Sequence, residues 1–126
     1  MEKYDPEKTP EPEEWLALDS DQRIILVETY HEEENIESGE SGMTVHATMH
    51  VVVENQVAEN IPAVRNTVGK LTRQGLSRHE AIHAIAAVLT EDIFHLLKGE
   101  IESFDIKKYR RRLEKLTAKK WRKGQW

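Results

Sequence analysis

The sequence predicts an all-α protein, a single-domain helical bundle of four to five helices over residues 1–126. Three observations predict this class. Apolar residues recur every three to four positions in the central segments, which is the period of a helix that faces a core. Prolines and glycines separate these segments, and several segments begin with a residue that caps helices. A chain of 126 residues is long enough to bury one modest core.

Composition excludes several classes of protein. The chain has no cysteine, which excludes disulfides and thiolate metal sites and favours a cytoplasmic location. No apolar run reaches the roughly 18–20 residues that a membrane helix needs, so we expect no membrane partner. The acidic, proline-containing N-terminus is unlike a signal peptide. We therefore expect a soluble, globular, cytoplasmic protein.

The first third of the chain predicts two irregular segments and two helical ones. Prolines discourage helix in residues 1–11, which we expect to be disordered. Pro12 begins a single helical turn, and Asp19 or Ser20 caps a helix that runs to about Glu34. Residues 32–42 are acidic and rich in glycine and serine, which predicts a loop.

The central segments predict three helices separated by turn residues. The first covers Met43 to Asn60, and the second begins at Pro62 and ends before Gly75. Ser77 caps the third, which runs to about Lys98, and Glu80 stands where a capping box needs it.

The last segment predicts a basic C-terminal helix and tail over residues 107–126. Ser103 or Asp105 opens this helix, and residues 121–126 should form a frayed end. Its apolar positions are expected to face the core: Ile106, Tyr109, Leu113 and Leu116.

Two pairs of histidines are the most informative feature of the sequence. His46 and His50, like His79 and His83, are four residues apart, which on a helix stacks the two rings on one face. Both pairs fall on apolar faces, and the two segments form a loose internal repeat. We expect the two helices to face each other and to bring four imidazoles together.

Four imidazoles between apolar helices predict a divalent metal site. Burying them costs free energy unless each nitrogen finds a partner, and one metal ion satisfies several at once. Glu54, one turn beyond His50, and His31 are candidates to complete the ligand set. Without thiolates, zinc or iron is the expected cofactor. A hydrogen-bonded polar core or a metal-free acid–base site is the alternative, and whether the chain is an enzyme stays open.

Two short motifs resemble known metal proteins. The string from His79 to His83 resembles the HExxH motif of zinc metalloproteases, in which the glutamate activates water. Capping explains Glu80 equally well, and we favour that role. The order of His31, His50, Glu54 and the second histidine pair resembles the ligand order of hemerythrin-type di-iron bundles. His95 lies roughly opposite that pair on its helix and should be a surface residue.

A longer resemblance covers most of the chain. It includes Leu18 to His31, Val45 to Gln56 and Gly75 to Ile85. These stretches resemble a family of small bacterial proteins catalogued only as a domain of unknown function. The resemblance implies a soluble, helical bacterial protein and supports treating both histidine segments as one site.

Charge is distributed very unevenly along the chain. Residues 1–106 carry 8 basic and 22 acidic side chains, whereas residues 107–126 carry 10 basic side chains and Glu114. Such a tail neutralises an acidic surface of its own chain, contacts a second subunit in a homo-oligomer, or binds nucleic acid. Because the acidic body would repel a polyanion, we favour the first two. The alternative function is a non-enzymatic interaction module with a buried polar histidine core and a basic, partner-binding tail.

Overall fold

The computed structural model describes residues 1–34, 36 and 42–126. Helices are the only regular secondary structure in this part of the chain, which confirms the predicted all-α bundle. None of the helices described there is both long and apolar enough to cross a membrane. The helices are α1 (Pro12–Ala17), α2 (Ser20–Glu33), α3 (Met43–Ala58), α4 (Pro62–Arg73), α5 (Arg78–Leu97), α6 (Ile106–Lys115) and α7 (Ala118–Arg122).

Short-range caps set the helix boundaries much as the sequence predicts. Asp19 caps α2 in a capping box with Gln22, and Asp105 caps α6. At the start of α5 the Ser77 side chain accepts a hydrogen bond from the backbone N–H of Glu80 at 3.1 Å. After α4 the chain turns at Gly75, whose φ of 103° suits glycine.

Helix α3 lies between α2 and α5, and α5 also packs against α4 and α6. The two histidine helices therefore face each other as predicted. The larger apolar core lies between α3, α4, α5 and α6. A smaller core joins the N-terminal segment to α1, α2 and α3, and consists of Tyr4, Trp15, Val27, Ala47 and Val51.

The N-terminal segment is ordered in the structure, which differs from the predicted disorder of residues 1–11. Tyr4 is only 3% exposed, and Pro6 is also buried. The ring of Tyr4 lies 5.7 Å from the ring of Trp15 and edge-on to Tyr30. The packing of Tyr4 thus offsets the conformational entropy that this segment loses when it becomes ordered, although its composition predicts irregular structure.

Ile106, which the sequence predicts to face the core, is exposed instead, and so is the apolar residue Leu97. Ile106 is 50% exposed and Leu97 is 76% exposed. Each is the terminal residue of its helix. Helical periodicity assigns a residue to a face, but it does not say how far along the helix the neighbouring element reaches. Tyr109, Leu113 and Leu116 are buried as predicted.

The predicted acidic loop of residues 32–42 is only partly described. Glu32 and Glu33 continue α2 instead of leaving it. Residues 35 and 37–41 lie outside the described part of the chain, so the prediction is not tested there.

The C-terminal tail folds back onto the bundle, and the predicted frayed end is wrong. Residues 118–122 form α7, and the rings of Trp121 and Trp126 lie 5.8 Å apart. From α4, Lys70 Nζ donates hydrogen bonds to the carbonyls of Leu113 and Glu114, each at 3.0 Å. These contacts satisfy carbonyls at the C-terminus of α6.

Part of the basic charge of the tail is neutralised within the chain. Arg112 lies 3.1 Å from the buried carboxylate of Asp92 and 3.4 Å from Glu91. Lys108 approaches Asp92 at 3.8 Å. Arg110 and Arg111, by contrast, are exposed.

We predict that Arg112→Ala lowers the free energy of unfolding by about 2 kcal/mol, because it leaves the Asp92 carboxylate buried with little compensation. The matched control, Arg111→Ala, removes an exposed charge and should change it by less than about 0.5 kcal/mol. Urea unfolding measures both. Equal effects would show that the Asp92 contact adds no stability.

Candidate metal centre

Five histidines converge from three helices between the two apolar cores. His31 comes from α2, His46 and His50 from α3, and His79 and His83 from α5. Neighbouring ring centroids are 4.2 Å apart for His79 and His83 and 6.1 Å apart for His46 and His50. The structure therefore brings together all five histidines that the sequence predicts for the site. We call them the histidine cluster.

The nitrogen atoms of the cluster point at one another. His46 Nε2 lies 3.1 Å from His31 Nε2 and 3.1 Å from His83 Nε2. Two groups of three residues place one nitrogen each within 4.8 Å of one another. The groups share His83, and they are His31, His46, His83 and His50, His79, His83.

A backbone contact orients His31. Its Nδ1 lies 2.8 Å from the carbonyl oxygen of Val27, one turn earlier on α2. A carbonyl can only accept, so the proton of neutral His31 is assigned to Nδ1 and the lone pair to Nε2. That lone pair faces His46. A backbone carbonyl on the far nitrogen is a common way to orient a metal-ligating histidine.

Several nitrogens of the cluster have no hydrogen-bond partner in the described part of the protein. These are both ring nitrogens of His50 and Nε2 of His79, all of them buried. His50 is only 1% exposed. An unpaired buried polar group costs about 1–3 kcal/mol. His50 therefore needs a partner that the surrounding side chains do not supply.

Burial keeps four rings of the cluster neutral. It lowers the pKa of His79 to about 4 and that of His83 to about 3, and the neighbouring histidines lower both further. Burial likewise lowers the pKa of His46, and that of His50 well below its usual value. At neutral pH these rings are uncharged, which is the form that binds metal.

Glu54, a predicted ligand, lies in a different contact. Arg78 donates two hydrogen bonds of 2.7 and 2.8 Å to its carboxylate, and the hydroxyl of Tyr4 donates to one of the same oxygens. Glu54 belongs to neither group of converging nitrogens. It is 1% exposed, and its charge is balanced by the guanidinium. Its contacts are those of a residue that supports the helices carrying the histidines.

The N-terminal segment covers one side of the cluster. The ring of Tyr4 lies edge-on to His50 at 5.6 Å. Burial, and then the carboxylate of Glu54, raise the pKa of Tyr4 well above its ordinary value, so its hydroxyl stays protonated. Arg78 also donates to the carbonyl of Pro6 at 2.9 Å. A carboxylate oxygen of Glu7 accepts from the backbone N–H of His79 at 2.7 Å.

Tyr4, Arg78 and Glu7 were not among the residues predicted for the site. A glutamate on the buried face of α3 signals that a cation must lie nearby, because an unpaired carboxylate would not be buried. Arg78, directly before His79, fits that signal. Nothing in the local sequence identifies Tyr4 or Glu7, since they contact residues 50 and 72 positions away.

Glu80 and His95 lie outside the cluster. Glu80 is exposed, and its backbone N–H contacts Ser77. In HExxH chemistry the glutamate must face the metal, so the string has the ligands of that motif without its base in place. His95 forms an ion pair with Glu100 at the surface, as predicted for a surface residue.

Comparison with known proteins assigns the chain to a family. Residues 10–115 match the family described as "Domain of unknown function (DUF1841)". The chain belongs to this family, and the predicted resemblance to a domain of unknown function is confirmed. No curated protein and no solved structure matches it. The matched range contains the whole histidine cluster, Glu54 and Arg78, whereas Tyr4 and Glu7 precede it.

We predict that Glu54→Gln lowers the free energy of unfolding by about 3 kcal/mol, because Arg78 would lose its buried counter-ion. Glu80→Gln is the matched control and should change it by less than about 0.5 kcal/mol. Thermal and urea unfolding in a chelator measure both effects without a contribution from metal. A neutral Glu54→Gln would contradict a supporting role for the ion pair.

We also predict that acid destabilises the chelator-treated protein. The pKa values of folded His46, His50, His79 and His83 are below the roughly 6.5 of an unfolded chain, so unfolding takes up protons below that pH. The free energy of unfolding should therefore fall from about pH 6.5 towards pH 5, by about 1.4 kcal/mol per pH unit for each proton taken up.

Urea unfolding at pH 7, 6 and 5 measures this slope. His95→Gln should leave it unchanged, because His95 is outside the cluster. A flat profile over this range would show that the cluster is not held neutral.

Proposed function

We propose that this protein binds a divalent transition metal ion through Nε2 of His31, His46 and His83, with His50 and His79 beside that group. The observation that carries the proposal is the pair of 3.1 Å separations between His46 Nε2 and the other two nitrogens. Nitrogens bound to one ion at about 2.0–2.1 Å lie about 3.0–3.4 Å apart. The two separations measured from His46 thus match the spacing within one coordination shell, which supports the proposal.

Proton counting supports a cation at this point. Nε2 of His31 has a lone pair that faces His46, because the ring proton of His31 is on Nδ1 and is donated to the carbonyl of Val27. If His46 carries a proton on Nε2, that proton serves only one of the lone pairs of His31 and His83. If Nε2 of His46 instead has its own lone pair, that lone pair faces the lone pair of His31 and the two repel each other. A cation accepts all three lone pairs and removes that repulsion.

The shared histidine limits the stoichiometry. A neutral imidazole has one lone pair available for a metal, so His83 cannot serve both groups at once. We therefore propose one ion per chain. Three imidazoles with an open position resemble the ligand sets of catalytic zinc sites, and imidazole also suits iron, nickel and copper. Zinc or iron remains our proposed cofactor.

The site has the elements of a catalytic centre but not a defined reaction. An ion with neutral ligands polarises a bound carbonyl or lowers the pKa of a bound water. The role of this chain is to hold the ligands, through Val27 on His31 and through the Glu54–Arg78 pair between α3 and α5. Cytoplasmic location and homo-oligomer formation stay predictions, and whether the chain is an enzyme stays open.

The alternative function is an interaction module in which the histidines form a polar core without metal. The converging Nε2 atoms of His31, His46 and His83 argue against it, because without a metal ion they have too few protons to satisfy one another, whereas a polar core that specifies a fold satisfies its members. Nucleic-acid binding by the tail is a further prediction. Arg110 and Arg111 are exposed, which is compatible with nucleic-acid binding. Arg112 forms ion pairs within the chain and does not support it.

Metal content tests the proposal. Protein without a histidine tag, treated with chelator and then with Zn²⁺ or Fe²⁺, should bind one ion per chain by elemental analysis. Metal at 100 times its dissociation constant should raise the free energy of unfolding by about 2.7 kcal/mol. Protein that takes up no stoichiometric metal would overturn the proposal.

Matched variants separate the two functions. His83→Leu removes a ligand from both groups, so metal uptake should be lost while the chelated protein stays about as stable. His95→Gln removes a histidine outside the cluster and should keep full uptake. If His83→Leu instead destabilises the chelated protein by several kcal/mol, the histidines act as a polar core.

A further inference from the structure

A groove leads from the histidine cluster along the surface of α5. It has a volume of about 600 Å³ and is bordered at one end by His46 and His83. Most of its other residues are apolar, namely Val45, Met49, Ala86, Ala87, Phe94 and Trp126. We call this space the α5 groove. It is the largest cavity found beside the cluster in the described part of the chain.

The groove follows one face of a single helix. His83, Ala87, Thr90, Phe94 and Lys98 succeed one another at intervals of three or four residues. At 1.5 Å per residue they span about 22 Å. Alanine at position 87 leaves room beside the helix where a larger side chain would fill the groove. The groove is thus elongated, and it has metal ligands at one end and a cation at the other.

The groove reaches the cluster at His46 and His83, which are partly exposed and line it. His31 and His50 are buried, at 0% and 1% exposure. A molecule in the groove can therefore reach a metal ion held by His46 and His83.

The charge of the site selects an anion. The converging ligands are neutral imidazoles, so a divalent ion would keep its full charge. The buried carboxylate beside the cluster, Glu54, is already paired with Arg78. Glu91, on the rim of the groove, is paired with Arg112. An anionic group in the open position would therefore compensate the ion, and Lys98 adds positive charge at the far end.

The walls of the groove favour a ligand with an apolar body. Phe94 is 47% exposed and Val45 is 44% exposed, and both line the groove. A second apolar pocket adjoins it and shares Val45, Met49, Thr90 and Phe94. Covering this surface would remove apolar area from water, which is favourable by about 25 cal/mol per Å².

We propose that the α5 groove binds a carboxylic acid with an unbranched apolar chain, whose carboxylate completes the coordination of the metal ion. This inference rests on the proposed metal site and adds the class of its ligand. The carboxylate lies at His46 and His83, and the chain lies along α5 between Met49, Ala87 and Phe94.

Titration of Co²⁺-loaded full-length protein with octanoate, below its micelle concentration, tests the proposal. The visible absorption of Co²⁺ should change on binding, because the carboxylate enters its coordination shell. Acetate is the matched probe with the same head group and no chain. Octanoate should bind at least tenfold more tightly, and equal affinities would overturn the groove proposal while leaving the metal site intact.

Variants locate the chain of the ligand. Ala87→Phe fills the groove and should reduce the preference for octanoate to less than threefold, with the response to acetate and the Co²⁺ content unchanged. Ala17→Phe, on the exposed face of α1, adds the same side chain elsewhere and should keep the preference. Phe94→Ser removes a wall without touching the core and should also weaken octanoate binding.

The outcomes distinguish the two proposals. Co²⁺ uptake with a preference for octanoate that survives both Ala87→Phe and Phe94→Ser would overturn the groove as its site. Failure of the wild-type protein to take up Co²⁺, Zn²⁺ or Fe²⁺ would overturn the metal site and the groove proposal together.

Discussion

The buried ion pair between Glu54 and Arg78 holds the arrangement together. It joins the middle of α3 to the first residue of α5, the two helices that carry four of the five histidines. Tyr4 and the carbonyl of Pro6 also form hydrogen bonds with it, so the same pair also fixes the N-terminal segment. A buried ion pair adds little to the free energy of unfolding when compared with apolar side chains in the same place. Removing one partner, however, lowers that free energy strongly. Its contribution here is to fix which faces of α3 and α5 meet.

The cluster fills the space between α2 and α5 with polar rings where most bundles would place leucine or valine. Five buried or partly buried imidazoles are a poor way to gain stability, since neither ring nitrogen of His50 has a hydrogen-bond partner in the part of the chain that the structure describes. Natural proteins keep such features at functional sites, where local rules of packing are broken for a purpose. The position of the cluster at the end of an apolar groove agrees with that interpretation.

The sequence was sufficient to predict helices α1 to α6 and the convergence of the histidines, because both depend on short-range patterns. The four-residue spacing of each histidine pair and the caps at Asp19, Ser77 and Asp105 need no knowledge of the fold. The role of Glu54 could not be predicted, since its position on α3 suits a ligand and a buried ion pair equally well. The order of residues 1–11 depends on Tyr4 meeting a partner fifty residues away, which no local pattern reveals.

The contacts of the N-terminal segment have a consequence for synthesis of the chain. Tyr4, Pro6 and Glu7 leave the ribosome early, but their partners Glu54, Arg78 and His79 follow 50 to 72 residues later. Helices α1 to α4 can form from nearby residues in the meantime and offer Trp15, Tyr30 and Glu54 to Tyr4, whereas Pro6 and Glu7 gain their partners only when α5 follows. The side of the cluster that this segment covers therefore closes only after α5 has been made.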